Sequence, residues 1–136
     1  MSGETNLGEL LKSLSATLVD GDFVFATVAE GSVPDNITPR MMFAEAEGIT
    51  LILLKPEADA AGLAYEFPCR MITLEVHSSL AAVGFIARIA TELAKHDMGV
   101  NPVSGFYHDH LFVPVGREQD ALRILERMAS GYSTSE

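Results

Sequence analysis

The sequence has no tryptophan, a single cysteine at position 69, and only 9 lysine or arginine residues among 136. Each scarcity excludes something. A lone thiol can form neither an internal disulfide nor a thiolate metal cluster, and in its apolar run Cys69 reads as a small buried hydrophobe. With aromatics at 7%, the buried surface must come mainly from leucine, isoleucine, valine, methionine and alanine. The 9 basic residues face 19 acidic ones, a net charge of −10 that repels phosphate backbones and anionic headgroups, so neither nucleic acid nor a membrane surface is an expected partner. No apolar run reaches the roughly 18 residues of a membrane span. Met1 to Thr5 lacks the basic and apolar regions of a secretion leader, and the cytoplasm is the expected compartment.

What is present is 48% apolar content, enough for one compact core or two small units fused over a continuous sheet. Leu7, Leu10, Leu11 and Leu14 share a helical stripe, with Asn6 and Glu9 spaced as a reciprocal cap. Asp22 to Val28 reads as a central strand, since both alternating sets can be buried. Gly31 to Arg40, with two prolines and a Pro-Asp-Asn turn signal, is a loop. Met41–Ala46 and Ile49–Lys55 flank a tight turn at Glu47-Gly48. Pro56 opens a short helix ending near Gly62.

Phe67 to His77 is the clearest strand, with Ile72, Leu74 and Val76 on one face. The longest helix is expected over Leu80 to Asp97, its inner face formed by Val83, Ile86, Ala87, Ala90, Leu93 and Ala94, with Gly99 as the stop. Val100–Tyr107 and Leu111–Val115 form a second hairpin around His108, Asp109 and His110. A last helix, Glu118 to Met128, stops at Gly131, with acids early and arginines late as the helix dipole favours.

From Phe67 onward the order is strand, helix, strand, strand, helix, the ferredoxin-like βαββαβ pattern without its closing strand. Asp22 to Gly62 repeats it with a loop in place of the first helix. The reading is an α+β tandem: residues 1–66 an abbreviated unit with the opening helix, residues 67–136 a fuller one. The missing strand of one unit comes from the other half or from a partner subunit, and a homodimer is expected.

The run Ser79-Leu80-Ala81-Ala82-Val83-Gly84-Phe85-Ile86-Ala87-Arg88-Ile89-Ala90, then Leu93, Gly99-Val100-Asn101 and Ser104 to Val113, resembles the ACT domain, specifically its aspartokinase-like and tandem amino-acid-sensor branch. The whole chain is similar to a family of small bacterial tandem ACT-like proteins. The resemblance implies a small effector, usually an amino acid, bound between the first strand and first helix of a unit. Carried over by position, it points to His77, Ser78, Ser79, Val83, Gly84 and Phe85 at the helix entrance, and to Asn101, Val103 and Ser104 opposite. Where the commonest ACT pattern has Asp and a Pro-Gly pair, His77-Ser78-Ser79 stands instead.

Physical chemistry supports that location, because a helix entrance offers unpaired N–H groups and a partial positive charge suited to a carboxylate. Ser78 or Ser79 could equally serve only as a helix cap. His108-Asp109-His110 offers imidazole and carboxylate, but a tight turn splays such side chains; Asp109 is expected to fix the turn, with Tyr107 or His108 at a ligand edge or subunit contact. Met41, Met42 and Met71 read as core filler, and Glu57 and Asp59 as solvated acids. No phosphate loop, serine elbow or repeated metal-ligand spacing is present, so no catalytic residue, metal or cofactor is expected. The function expected is a regulatory, non-enzymatic, dimeric amino-acid sensor. The alternatives are a structural interaction module with a vestigial pocket, or a small enzyme using His77, His108 or His110.

Overall fold

The structure, a computed structural model, describes residues 6–76 and 82–134, with side chains of the last helix described to Gly131. Its elements in chain order are α1 (Leu7–Lys12), β1 (Ala16–Leu18), β2 (Phe23–Val28), β3 (Met41–Ala44), β4 (Ile49–Leu54), α2 (Lys55–Ala60), β5 (Tyr65–Leu74), α3 (Phe85–Ala94), β6 (Asn101–Ser104), β7 (Asp109–Pro114) and α4 (Glu118–Thr134). Two compact units result: residues 21–69, and residues 6–20 together with 70–134.

In residues 21–69 the strand order is β3-β4-β2-β5 with every neighbouring pair antiparallel. Counted along the unit this is 2-3-1-4, the ferredoxin-like order. Alternation in β2 puts Val24 and Ala26 on one face, opposite Leu53 and Leu51 of β4, and Ala58 of α2 closes over them. Where the ferredoxin-like pattern has its first helix, the irregular stretch 29–40 packs Val33 and Ile37 against this cluster. Glu57 fastens that stretch by accepting the Thr38 N–H at 2.7 Å. The hairpin closes through the Glu45 N–H to Gly48 oxygen bond at 2.9 Å; a Cβ at Gly48 would lie 2.8 Å from the Val28 oxygen, which is why glycine stands there. β5 starts at Tyr65, two residues before the expected Phe67. Phe67 itself has φ 58° at an irregularity in the β2–β5 register, its ring meeting Phe25 edge-on at 5.7 Å.

The second unit has the same order, β6-β7-β5-β1, and its closing strand comes from the chain's own opening segment. β1 pairs antiparallel with the end of β5, Ala16 facing Leu74 and Leu18 facing Ile72. The opening helix, grouped on sequence with residues 1–66, is part of this unit's core, because Leu10, Leu11 and Leu14 pack with Ile72, Leu74, Phe85 and Ile89. One half of the expected reciprocal cap is seen: the Asn6 side chain accepts the Glu9 N–H at 2.9 Å. Arg70 ties β5 to the start of α4 through Glu118 at 3.2 Å and also reaches the Val19 oxygen.

Five expectations for this unit need correction. Helix α3 begins at Phe85, not Leu80: Gly84 has φ 90°, which ends helical geometry, and Val83 is 83% exposed. Its buried stripe is Phe85, Ile89 and Leu93, so Ala87 and Ala94 face outward; large side chains at i, i+4 and i+8 bury more apolar area than the alanine-rich stripe. The helix ends at Ala94, and Asp97, at φ 58°, takes the left-handed conformation expected of Gly99. The second hairpin turns at Gly105–His108, with Gly105 N–H donating to the His108 oxygen at 2.9 Å, so Asp109 and His110 belong to β7. Helix α4 runs through Gly131 to Thr134, since a helical glycine costs only about 1 kcal/mol.

Candidate functional site

The entrance to α3 differs from the other helix starts. The first hydrogen bond inside α3 runs from Arg88 N–H to the Gly84 oxygen, so the amides of Phe85, Ile86 and Ala87 have no acceptor within the helix. Gly84, at the N-cap, has no side chain with which to accept one, and the first turn contains no acid. By contrast α1 has the Asn6 cap and Glu9, and α4 begins with Glu118 and Asp120. The positive end of the α3 dipole is therefore left uncompensated by its own first turn. The Leu7 side chain lies 3.6 Å from where a Gly84 Cβ would stand, so the start of α1 borders the entrance. Sequence reasoning missed Leu7, which reads from its pattern only as part of a core stripe.

The expected site residues distribute unevenly. His77, Ser78 and Ser79 lie outside the described residues. Helix α3 starts six residues beyond Ser79, with Gly84 in the N-cap position. Val83 is exposed and Gly84 half-buried beside it, whereas the Phe85 side chain is sunk in the core and offers only its backbone. On β6, Asn101 and Val103 share one face opposite Phe112 and His110, and Ser104 faces the other way opposite Asp109.

The histidine segment is built differently from its sequence reading. Asp109 is 6% exposed and is the first residue of β7. His110 Nδ1 lies 3.0 Å from Thr73 Oγ1, and its ring centroid is 6.5 Å from that of His108. Among the described residues, no three His, Cys, Asp or Glu side chains are grouped to hold a metal ion. Phe106 and Tyr107, exposed at the hairpin tip, stack edge-on at 5.1 Å.

Elsewhere, Cys69 is fully buried and donates to the Phe23 oxygen at 3.4 Å; burial pushes its thiol up to about 12, so almost no thiolate exists at neutral pH. Asp59 accepts from Tyr65 at 2.8 Å and from Lys55 at 3.4 Å, and the Tyr65 hydrogen bond foremost holds its carboxyl below the usual range. Two sequence readings change here. Met71 is buried but Met42 is 57% exposed on an outer strand, and Glu57 is a loop anchor, a role hidden because Thr38 lies 19 residues away. No helix among the described residues is long and apolar enough to cross a membrane.

Residues 2–70 and 66–127 each match the ACT domain. The chain belongs to the ACT-domain family, with two ferredoxin-like units in tandem. It is similar to a protein of unknown function from Vibrio cholerae, described as a possible transport protein, with 43% identity over 90% of this chain and 95% of that one and a TM-score of 0.82. The fold is also that of the regulatory subunit of aspartate kinase from Thermus flavus (9% identity, 84% of this chain, 96% of that one, TM-score 0.59). Clostridium acetobutylicum aspartate kinase shares it over 85% of this chain and 34% of its own length, at 9% identity and a TM-score of 0.64. No curated protein matches the chain.

Proposed function

We propose that this chain is a regulatory module without a catalytic centre of its own, which binds a small carboxylate, most simply an amino acid, at the entrance to α3 and works as a dimer. The observation that supports this reading is the glycine N-cap: the amides of Phe85, Ile86 and Ala87 carry no capping side chain from Gly84 and no first-turn acid competes for their field. Family membership and the fold shared with aspartate kinase regulatory regions support a regulatory, ligand-binding role. His77, Ser78, Ser79, Val83 and Gly84 would flank the ligand, Phe85 would contribute its amide alone, and Asn101, Val103 and Ser104 would supply the facing strand. The two-unit division of the tandem, near residue 66, belongs to the same proposal.

Such a module acts by linkage: a ligand held more tightly by one arrangement of subunits shifts the population toward it. Isothermal titration of the purified protein against each proteinogenic amino acid tests the reading. Saturable heat with a matching rise in melting temperature is expected for at least one of them, lost on Gly84→Val, which closes the entrance and disfavours φ 90°. Heat that persists unchanged in Gly84→Val would move the site elsewhere, and no heat from any amino acid would remove the amino-acid reading.

A further inference from the structure

Strand β1 is the outer strand of residues 6–20 and 70–134 on the side away from β6, and its ladder fixes which way its backbone groups point. The Glu75 N–H donates to the Ser15 oxygen at 2.7 Å, and the Val19 N–H to the Met71 oxygen at 2.9 Å. Ser15, Thr17 and Val19 are therefore the residues bonded to β5, since hydrogen-bonded pairs alternate along an antiparallel ladder. Ala16 and Leu18, opposite Leu74 and Ile72, fall at the intervening positions, where N–H and C=O point away from β5. Among the described residues β1 pairs with β5 alone. Its outward groups repeat every two residues, about 7 Å, which is the period an added extended chain matches.

A groove of about 380 Å³ lies at this edge. Leu14 and Ala16 line it from one side, and Leu122, Leu125, Glu126 and Ala129 of α4 from the other, their spacing of three and four residues setting them on one helical stripe. Leu14 and Leu125 are buried and Leu122 and Ala129 half-buried, so most of the lining is apolar. Glu126 is its charged member; it is exposed, and none of the ion pairs among the described residues uses it. Such a lining fits an extended peptide: the β1 edge receives its main chain, the leucines and alanine an apolar side chain, and Glu126 a lysine or arginine. The strand itself, Ala16-Thr17-Leu18, carries no basic residue, so the same strand of a second copy offers Glu126 nothing.

We propose that the groove between β1 and α4 docks an extended, basic and apolar peptide segment of a partner protein, which adds to the β1 edge as a further strand. This goes beyond the ligand site at the entrance to α3 and does not depend on it.

Backbone amide NMR of the 15N-labelled chain tests it with a short probe peptide of alternating valine and lysine, blocked at both ends, and with the same peptide carrying glutamate in place of lysine. The lysine peptide is expected to give saturable shifts at Ala16, Leu18, Leu122 and Ala129. Hydrogen exchange at the Ala16 and Leu18 amides should slow about tenfold on binding, while that of Thr17, already bonded to β5, stays as it was. Ala16→Pro removes the outward donor at the first residue of the strand, where proline leaves the β5 ladder intact, and is expected to raise the peptide's dissociation constant about tenfold. Glu126→Gln, at an exposed position, should raise it about threefold. Circular dichroism confirms folding, and Glu126→Gln with the wild-type exchange data decides the matter should Ala16→Pro unfold. No saturable shift from the lysine peptide, equal affinity for the glutamate peptide, shifts without slowed exchange at Ala16 and Leu18, or unaltered affinity in folded Ala16→Pro or in Glu126→Gln would each overturn the docking site.

Discussion

Residues 21–69 and residues 70–134 with their β1 strand reach the same 2-3-1-4 strand order, yet they cover and close their sheets differently. The first unit draws its fourth strand from its own end and covers part of one face with an irregular stretch held by Val33, Ile37 and the Glu57–Thr38 bond. The second takes its fourth strand from Ala16–Leu18 and covers its sheet with a ten-residue helix anchored by Phe85, Ile89 and Leu93. The order of strands thus survives loss of a helix and a change in which chain end supplies the edge. What changes is the chemistry: a helix brings unpaired amides and a dipole to the strand-to-helix corner, whereas a loop whose Thr38 amide is already taken by Glu57 brings much less.

Mutations can break this comparison, the largest effect falling on the helix. Ile89→Ala, at a fully buried position, is expected to cost about 2–5 kcal/mol in urea denaturation. Ile37→Ala in the substituting loop should cost about 1 kcal/mol, since that side chain is only partly buried; equal losses would mean that the loop is held as firmly as the helix. Asn6→Ala, which uncaps α1 in the second unit's core, is expected to cost about 1 kcal/mol. Glu57→Ala should cost about 1 kcal/mol or less and speed hydrogen exchange at the Thr38 amide, leaving exchange in α3 unchanged.

A further effect is a pH dependence confined to alkaline conditions. Cys69 has its folded value raised to about 12 from an ordinary value of 9.0, because burial disfavours the thiolate. Below about 9 the thiol is protonated whether the chain is folded or not, and stability is unaffected by it. Between about 9 and 12 the unfolded chain ionises first, so stability should fall as pH rises through that window. Cys69→Ala should flatten that part of the profile, and a thiol reagent at neutral pH should label the wild type only after unfolding.

Much of the fold was legible because local chemistry and burial agreed. The β3–β4 turn, Pro56 and the prolines of 31–40 each act within a few residues, and β2 announces itself by apolar content on both faces. The start of α3 was not legible: Leu80 to Val83 continue the helical apolar pattern, and only the backbone at Gly84 breaks it. Strand β1 was hidden because three residues carry no readable period and their partner, Leu74, lies far along the chain. Of the candidate site, Gly84 was found through the family pattern. The burial of Phe85 and the neighbouring Leu7 depend on tertiary packing that no spacing reveals.

The asymmetry between helix and loop is tested most directly by backbone amide NMR of the 15N-labelled chain titrated with the amino acid that gives heat. The account predicts the largest saturable shifts at Phe85, Ile86 and Ala87, with residues 29–40 unmoved and one ligand bound per chain. Shifts centred on residues 29–40, or two ligands per chain, would contradict it.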